Sequence, residues 1–132
     1  MNPPDEDRRV LGRTITAPIT HLDHFPAPDN VTTVTITCNE VAALCPVTGQ
    51  PDLYTVVVDY TPYGHVIESK ALKLFLWGYR DRRISCEDLA AELVSELYAQ
   101  HPDPDSAFYI TVTQQSRGGI VLRATAEAGV TQ

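Results

Sequence analysis

The chain of 132 residues suits a single domain, and its 43% of hydrophobic residues is enough for one core without disulfide or metal staples. A net charge of −7 disfavours general binding to a phosphate backbone, so we expect no direct nucleic-acid partner. No stretch has the length of a membrane span, and residues 1–20 lack the apolar core of a signal peptide. These features predict a cytoplasmic protein without membrane contact.

The N-terminal residues are predicted to form a mobile arm. Five of the first 30 residues are prolines, and a charged run covers residues 5–9. Such a composition favours an extended chain without regular structure. We therefore expect a proline-rich arm over residues 1–20 and one folded domain over residues 21–132.

Two strands with a shaped loop between them are predicted next. Residues 31–38 alternate apolar and polar side chains with many β-branched residues, which is typical of a half-buried strand. Residues 53–60 are predicted to form the second strand. The loop at residues 45–52 contains two prolines and a glycine, which exclude regular structure there.

Two helices are predicted to follow these strands. Over residues 68–83 the apolar side chains recur at helical spacing, which predicts an amphipathic helix. Ser85 stands before two acidic residues and is expected to cap a second helix, which reaches about residue 100. Pro102 and Pro104 end this helix because proline removes a donor and disfavours helical geometry in the residue before it.

The last predicted elements are strands over residues 108–113 and 120–125, joined by a hairpin connection that contains two glycines. The element order is therefore ββααββ, an α+β fold in which two helices cover one face of a four-stranded antiparallel sheet. Such a sheet leaves two edges and one face uncovered. We therefore expect a homo-oligomer.

Cys45 and Asp52 are the first candidates for chemistry. A thiol in a loop pinned by proline, seven residues before a carboxylate, provides a nucleophile and a proton donor or acceptor. Spacing alone nevertheless favours a simpler alternative, in which Cys45 is a buried inert thiol and Asp52 only begins a strand.

Lys70 and Lys73 lie one helical turn apart, so their ammonium groups share a face and can clamp a phosphate. Taken alone, the pair is more typical of a solvated basic face. Arg117 precedes two glycines and can contact an anion, although an arginine in such a position is usually only part of a turn. No closely spaced set of cysteines or histidines is found, so no metal site is predicted.

Taken together, these segments resemble the 7-cyano-7-deazaguanine reductases of queuosine biosynthesis, the QueF family of the tunnelling fold. Residues 44–52, LCPVTGQPD, are similar to the nucleophile loop of that family. Residues 68–75, ESKALKLF, fill its nicotinamide-cofactor signature, and Arg117 with the two glycines after it lies at the expected point between the last two strands. The resemblance covers about residues 21–125 and implies the tunnelling fold (T-fold) in its single-module form.

The resemblance also implies a reaction and roles for the site residues. Cys45 would attack the nitrile carbon to form a covalent thioimide, Asp52 would deliver protons, and two NADPH molecules would be used in each turnover to yield the aminomethyl product for tRNA modification. The implied cofactor-binding residues are Lys70, Lys73 and Arg117. The implied substrate pocket lies between subunits and is formed by Ile67, Glu68, Ser69, Cys86 and Glu87.

One departure from the family pattern leaves alternatives open. The family usually has histidine immediately before the substrate-binding glutamate, whereas this chain has Cys86 there. Reduction is one prediction, and an amidine-forming reaction on the same nitrile is the second. A catalytically silent module that binds a deazapurine or a pterin is the third. A reversible disulfide between Cys45 and Cys86 is a further hypothesis.

Overall fold

The computed structural model describes residues 17–130. Most of the predicted arm, residues 1–16, lies outside the described residues. The elements in chain order are β1 (His24–Pro26), β2 (Val34–Leu44), β3 (Pro51–Tyr60), β4 (His65–Ile67), α1 (Ser69–Trp77), α2 (Cys86–Gln100), β5 (Phe108–Arg117) and β6 (Ile120–Ala128). None of the helices in the described part of the chain is long and apolar enough to cross a membrane.

The main sheet has the strand order β2-β3-β5-β6, and every pair is antiparallel. Alternate residues of β3 and β5 point to one face, where α1 and α2 close the main core. Val56, Phe108 and Leu93 are among its fully buried side chains. The predicted α+β architecture is therefore confirmed.

Two short strands were not expected from the sequence. β1 and β4 pair with each other in a separate two-stranded sheet, in which His24 lies opposite Ile67. Three residues are too few to give a readable alternation of apolar and polar side chains. This small sheet holds the start of α1 in place, because the Glu68 N–H donates to the carbonyl of Asp23 at 2.9 Å.

The first predicted strand is wrong at both ends. β2 begins at Val34 and continues to Leu44, through the segment that was expected to separate the strand from the loop. The pairing with β3 is interrupted between Cys38 and Val41 and then resumes. A bulge of this kind breaks the alternation of side chains and hides the continuation of the strand.

The predicted first helix is too long, because α1 ends at Trp77 rather than near residue 83. Gly78 caps the helix, and tight turns follow, in which the N–H groups of Tyr79, Arg80 and Arg82 each bond to a carbonyl three residues back. The chain then runs beside Leu44 of β2. This contact between Arg83 and the distant Leu44 ends the helix earlier than the spacing of apolar residues predicts.

The predicted second helix is confirmed in α2. The Ser85 hydroxyl accepts a hydrogen bond from the Asp88 N–H at 3.1 Å, and His101 is the C-cap. The last hairpin is longer than predicted, since β5 and β6 extend to a two-residue turn at Gly118 and Gly119. Their φ angles of 62° and 79° lie in the left-handed region, which glycine adopts without strain.

The folded body begins before the predicted boundary at His21. Ile19 packs against the core, and its N–H donates to the carbonyl of Leu74 in α1 at 3.4 Å. The prolines and the charged run that suggested an arm therefore do not keep residues 17–20 apart from the domain.

Candidate functional site

The turns that end two hairpins lie at the same end of the main sheet. β3 and β5 are antiparallel neighbours, so the start of β3 and the end of β5 come together. The first hairpin carries Cys45 and Asp52, and the second carries Arg117. These three sequence-predicted residues are therefore brought into one group, which we call the thiol site.

The loop that carries Cys45 is folded back on itself. The Cys45 N–H donates to the Gln50 carbonyl at 2.8 Å, and the Gly49 N–H donates to the Cys45 carbonyl at 2.9 Å. Gly49 has a φ of 73°, and a β-carbon there would come within 2.6 Å of the Arg83 guanidinium. The left-handed backbone conformation therefore favours glycine at this position, whereas the end of the flexible Arg83 side chain can move away from a β-carbon.

The environment of Cys45 favours its thiolate. The side chain and the backbone N–H of Thr48 bond to the sulfur and, with the Arg117 guanidinium, lower the pKa of the Cys45 thiol to about 6. The Thr48 N–H lies 3.5 Å from Sγ. The Cys45 side chain is only 7% exposed, yet its thiol is ionised at neutral pH.

Arg117 ties Asp52 to the loop. Its Nε lies 3.1 Å from Oδ1 of Asp52, which is 4% exposed. Its Nη1 donates to Gln50 Oε1 at 2.8 Å and to Thr48 Oγ1 at 3.3 Å. Thr48 and Gln50 were not singled out from the sequence, although both lie within the proline-pinned loop that was.

The start of α2 lies beside the thiol site. Leu44, the residue before Cys45, forms an isolated bridge with Arg83, two residues before the helix cap. Glu87 is exposed in the first turn of α2. A carboxylate at this position can accept hydrogen bonds from a ligand held near Cys45.

Cys86 does not share this exposed position. It is 1% exposed, and its thiol contacts the carbonyl of Val112 in β5 at 3.5 Å. Burial raises the pKa of the Cys86 thiol, and the carboxylate of Glu87 adds to this effect. All three cysteines are free thiols, and the disulfide between Cys45 and Cys86 stays a hypothesis.

Ile67, Glu68 and Ser69 lie at the other end of the molecule. Glu68 is the N-cap of α1, and its two carboxylate oxygens accept the N–H groups of Lys70 and Ala71 at 3.0 and 2.8 Å. The Ile67 N–H donates to the hydroxyl of Tyr60 at 2.9 Å. These residues adjoin β1, and Leu22, just before β1, is hydrogen-bonded to Gln100, the last residue of α2.

The separation follows from the length of α2. The Leu22 N–H donates to the Gln100 side chain at 2.7 Å, so β1 and β4 lie at the C-terminal end of this helix. The thiol site lies at its N-terminal end. The 15 residues of α2 span about 22 Å at 1.5 Å per residue. One protomer therefore does not bring Glu68 to Cys45.

Lys73 lines a groove between α1 and the edge strand β2. The groove has a volume of about 600 Å³, and its other lining residues include Trp77, Arg80 and Val41. Arg80 was not singled out from the sequence, although the predicted helix over residues 68–83 contained it. Two cationic side chains along one groove can bind phosphate oxygens, and Arg117 lies outside this groove, bonded to residues of the thiol site.

Comparison with known proteins identifies the family. A family profile described as QueF-like protein matches residues 51–132. The chain belongs to the QueF family. The matched range includes Asp52 and Arg117, and Cys45 lies just before it.

Among curated QueF relatives, an NADPH-dependent 7-cyano-7-deazaguanine reductase of Frankia casuarinae is 38% identical over 79% of this chain and 82% of its own length. A protein of the same name from Thioalkalivibrio sulfidiphilus is 36% identical over 77% and 78%. The crystal structure of the archaeosine synthase QueF-Like in the apo form has a TM-score of 0.69 and 27% identity, and the match covers 76% of this chain and 97% of that one.

Proposed function

We propose that this protein reduces the nitrile of 7-cyano-7-deazaguanine to 7-aminomethyl-7-deazaguanine with NADPH, in the cytoplasmic biosynthesis of queuosine for tRNA. The relatives from Frankia casuarinae and Thioalkalivibrio sulfidiphilus are named for this reduction. The observation that carries the proposal in this chain is the thiol site, where a thiol of lowered pKa and a carboxylate share Arg117 as a partner.

In the proposed reaction, Cys45 acts as the nucleophile. The thiolate forms a bond to the nitrile carbon, and one carbon–nitrogen π bond breaks. Asp52, which is paired with Arg117 as a carboxylate, takes up a proton from solvent and passes it to the nitrogen, which yields a thioimide. A nitrile is a poor acceptor of hydride, and the protonated thioimide is a better one, so covalent catalysis divides a difficult step into easier ones. When bound, NADPH supplies hydride, and two molecules are needed to convert a nitrile to an amine.

Asp52 and Cys45 would also complete the reaction. After the first reduction, the carbon–sulfur bond breaks and the electron pair returns to Cys45 as the thiolate. The resulting imine needs a second hydride and a proton to become the amine. The burial of both side chains excludes water, which would otherwise hydrolyse the thioimide or the imine.

The residues proposed to hold NADPH are Lys70, Lys73 and Arg117. The groove beside Lys73 fits an anionic cofactor, because Arg80 adds a second cation and Trp77 offers an exposed ring. Fixed cations suit phosphate oxygens, and an exposed aromatic ring suits a flat heterocycle. We include Arg80 in this proposal on the strength of its place in the groove.

Glu87 is proposed to bind the guanine-like edge of the substrate, next to Cys86. Its carboxylate suits a ring N–H and an amino group that lie side by side. Ile67, Glu68 and Ser69 are proposed to complete the pocket from a neighbouring subunit. Support comes from the length of α2, which separates Glu68 from Cys45 within one protomer.

A homo-oligomer with sites at its subunit interfaces would meet this requirement. β2 and β6 are the two edges of the main sheet, and the exposed apolar side chains of β6 include Ile120 and Val121. Exposed strand edges with apolar side chains favour pairing with another chain.

The second candidate function is an amidine-forming reaction at the same nitrile. The solved structure of an archaeosine synthase is similar to this chain and favours this candidate. The signature at residues 68–75, with the groove beside Lys73, favours reduction, because an amidine-forming enzyme has no need of a nicotinamide cofactor.

Product analysis separates the candidates. The purified protein is incubated with 7-cyano-7-deazaguanine and either NADPH or ammonia, and the product is identified by mass spectrometry. An amine formed only with NADPH supports the reductase, and an amidine formed with ammonia supports the alternative. Ligand binding without either product, retained by Cys45→Ala, would leave the silent binding module.

A further inference from the structure

Arg117 was expected to contact a cofactor phosphate, yet it is held at the thiol site by three partners. Its Nε pairs with Asp52, and its Nη1 donates to Thr48 and Gln50. These partners lie on the loop that carries Cys45 and on the first residues of β3. The guanidinium therefore joins the second hairpin to the nucleophile loop.

We infer that Arg117 is a positioning residue for the nucleophile, which holds the Cys45 loop in the conformation that stabilises the thiolate in the free protein. The inference rests on the proposed function only in taking Cys45 as the nucleophile. In this arrangement the thiol proton leaves to solvent, and the guanidinium and the Thr48 N–H stabilise the negative sulfur that remains.

The planar shape of arginine suits this task. One guanidinium presents several N–H donors in a fixed plane, so it can bond a carboxylate, a hydroxyl and an amide oxygen together. Lysine carries a point charge on a flexible stem and cannot hold three acceptors in the same way. Arg117 bonds in this way, because its Nε pairs with Asp52 and its Nη1 donates to Gln50.

The other titratable groups around Cys45 do not replace Arg117. The carboxylate of Asp52 opposes formation of a thiolate unless a cation pairs with it, as Arg117 does. Arg83 touches the loop at Gly49, on the segment before α2. The neighbouring groups by element are Asp52 and Tyr54 on β3, Cys86 and Glu87 on α2, and Arg117 on β5.

The test measures thiolate formation without substrate or cofactor. Native protein, Arg117→Ala, Arg117→Lys and the matched control Arg123→Ala are treated with iodoacetamide across a range of pH. Fragment mass spectrometry then follows the modification of Cys45. Arg123 lies exposed on β6, where its Nε contacts Thr113, and it touches none of the thiol site in the described residues.

The expected result is an upward shift of the alkylation midpoint by one pH unit or more in Arg117→Ala. A shift of this size corresponds to about a tenfold slower reaction at pH well below the midpoint. Arg117→Lys should give a smaller shift, and Arg123→Ala should give none. A midpoint in Arg117→Ala equal to that of the native protein would overturn the inference and leave Arg117 as a phosphate contact alone.

Two further measurements make the result decisive. Gln50→Ala removes an exposed partner of Arg117, and it should raise the alkylation midpoint by less than Arg117→Ala does. If Arg117→Ala does not fold, an unchanged midpoint in Gln50→Ala would count against the inference. Steady-state kinetics should show a rise in the KM for NADPH alone in Lys73→Ala. Stopped-flow absorbance without NADPH should show a fall in the rate of adduct formation in Arg117→Ala. A native protein with the low midpoint but no reduction would refute the proposed function and leave this inference standing.

Discussion

Leu44 and Ile84 are joined by the backbone, since the Ile84 N–H donates to the Leu44 carbonyl at 3.0 Å. The Leu44 N–H in turn donates to the carbonyl of Arg82 at 2.8 Å. This pair of bonds fixes Cys45, the next residue along the chain, beside the N-terminus of α2. The distance from nucleophile to helix is thus determined by strand-like pairing and does not depend on a side-chain contact.

Selective alkylation at Cys45 is the first prediction. The pKa of the Cys45 thiol is lowered to about 6, whereas burial raises the pKa of Cys38 and of Cys86. At pH 7, limiting iodoacetamide should therefore modify Cys45 and leave the other two thiols unmodified. Peptide mass spectrometry checks this, with Cys86→Ala as the control that should keep the reactive thiol. Faster modification of Cys38 than of Cys45 would contradict the assignment.

The cap of α2 gives the second prediction. Ser85→Ala removes the hydroxyl that accepts the Asp88 N–H, and it should lower the free energy of unfolding by about 1 kcal/mol. Urea unfolding measures the change, and Ser95→Ala, an exposed change within the same helix, is the matched control. Ser85→Asp should retain most of the stability because aspartate also caps helices. An equal loss of unfolding free energy in Ser85→Ala and Ser95→Ala would show that the Ser85 cap does not stabilise the helix.

The third prediction concerns stability in acid. Burial, with the nearby His101 and His65, lowers the pKa of His24 from 6.5 to about 4 in the folded protein. Between these two pH values the unfolded chain binds a proton at this residue and the folded protein does not. The free energy of unfolding should therefore fall as the pH decreases from 6.5 to 4, and it should lose this dependence on His24 at lower pH.

His24→Phe keeps an aromatic ring against His101 and removes the titratable group. Urea unfolding of the native protein and of this variant at several pH values between 7 and 4 gives the comparison. The variant should lose less stability than the native protein over this range. Parallel curves for the two proteins would mean that another group is responsible for the acid sensitivity.

A site shared between subunits gives the fourth prediction. Cys45→Ala removes the nucleophile, and Glu68→Gln removes a charge from the distant substrate segment while its amide oxygen can still cap α1. Each variant alone should have little activity. Mixed oligomers, refolded together from equal amounts, should recover part of it, because some sites combine an intact Cys45 with an intact Glu68.

NADPH oxidation in the mixture, compared with the sum of the separate variants, measures the recovery. Activity no greater than that sum, with mixing of the subunits verified by native mass spectrometry, would place both residues in one protomer. Such a result would conflict with the length of α2 that separates them here.

The features that depend on short sequence segments could be predicted. The cap at Ser85, the glycine turn after Arg117 and the element order of the main sheet follow from local patterns. The end of α1 could not be predicted, because the backbone after Gly78 forms hydrogen bonds with Leu44, which is distant in sequence. The family resemblance is confirmed by the comparisons, and the individual roles of the site residues stay predictions.

The ion pair of Arg117 with Asp52 could not be predicted from sequence patterns for a similar reason. Asp52 lies 65 residues earlier in the chain, and only the pairing of β3 with β5 brings the two side chains together. Lys73 and Arg80 likewise meet in a groove that needs the folded edge of β2. Spacing along the predicted helix identified Lys73, and Arg80 was not singled out.

The most direct test of the central claim follows two absorbance signals in one reaction. Reduced protein is mixed with 7-cyano-7-deazaguanine, the thioimide absorbance is recorded, and NADPH is then added, with Cys45→Ala measured in parallel. We expect an adduct in the native protein only, followed by oxidation of two NADPH for each nitrile. An adduct that never oxidises NADPH, or oxidation that persists in Cys45→Ala, would contradict this expectation.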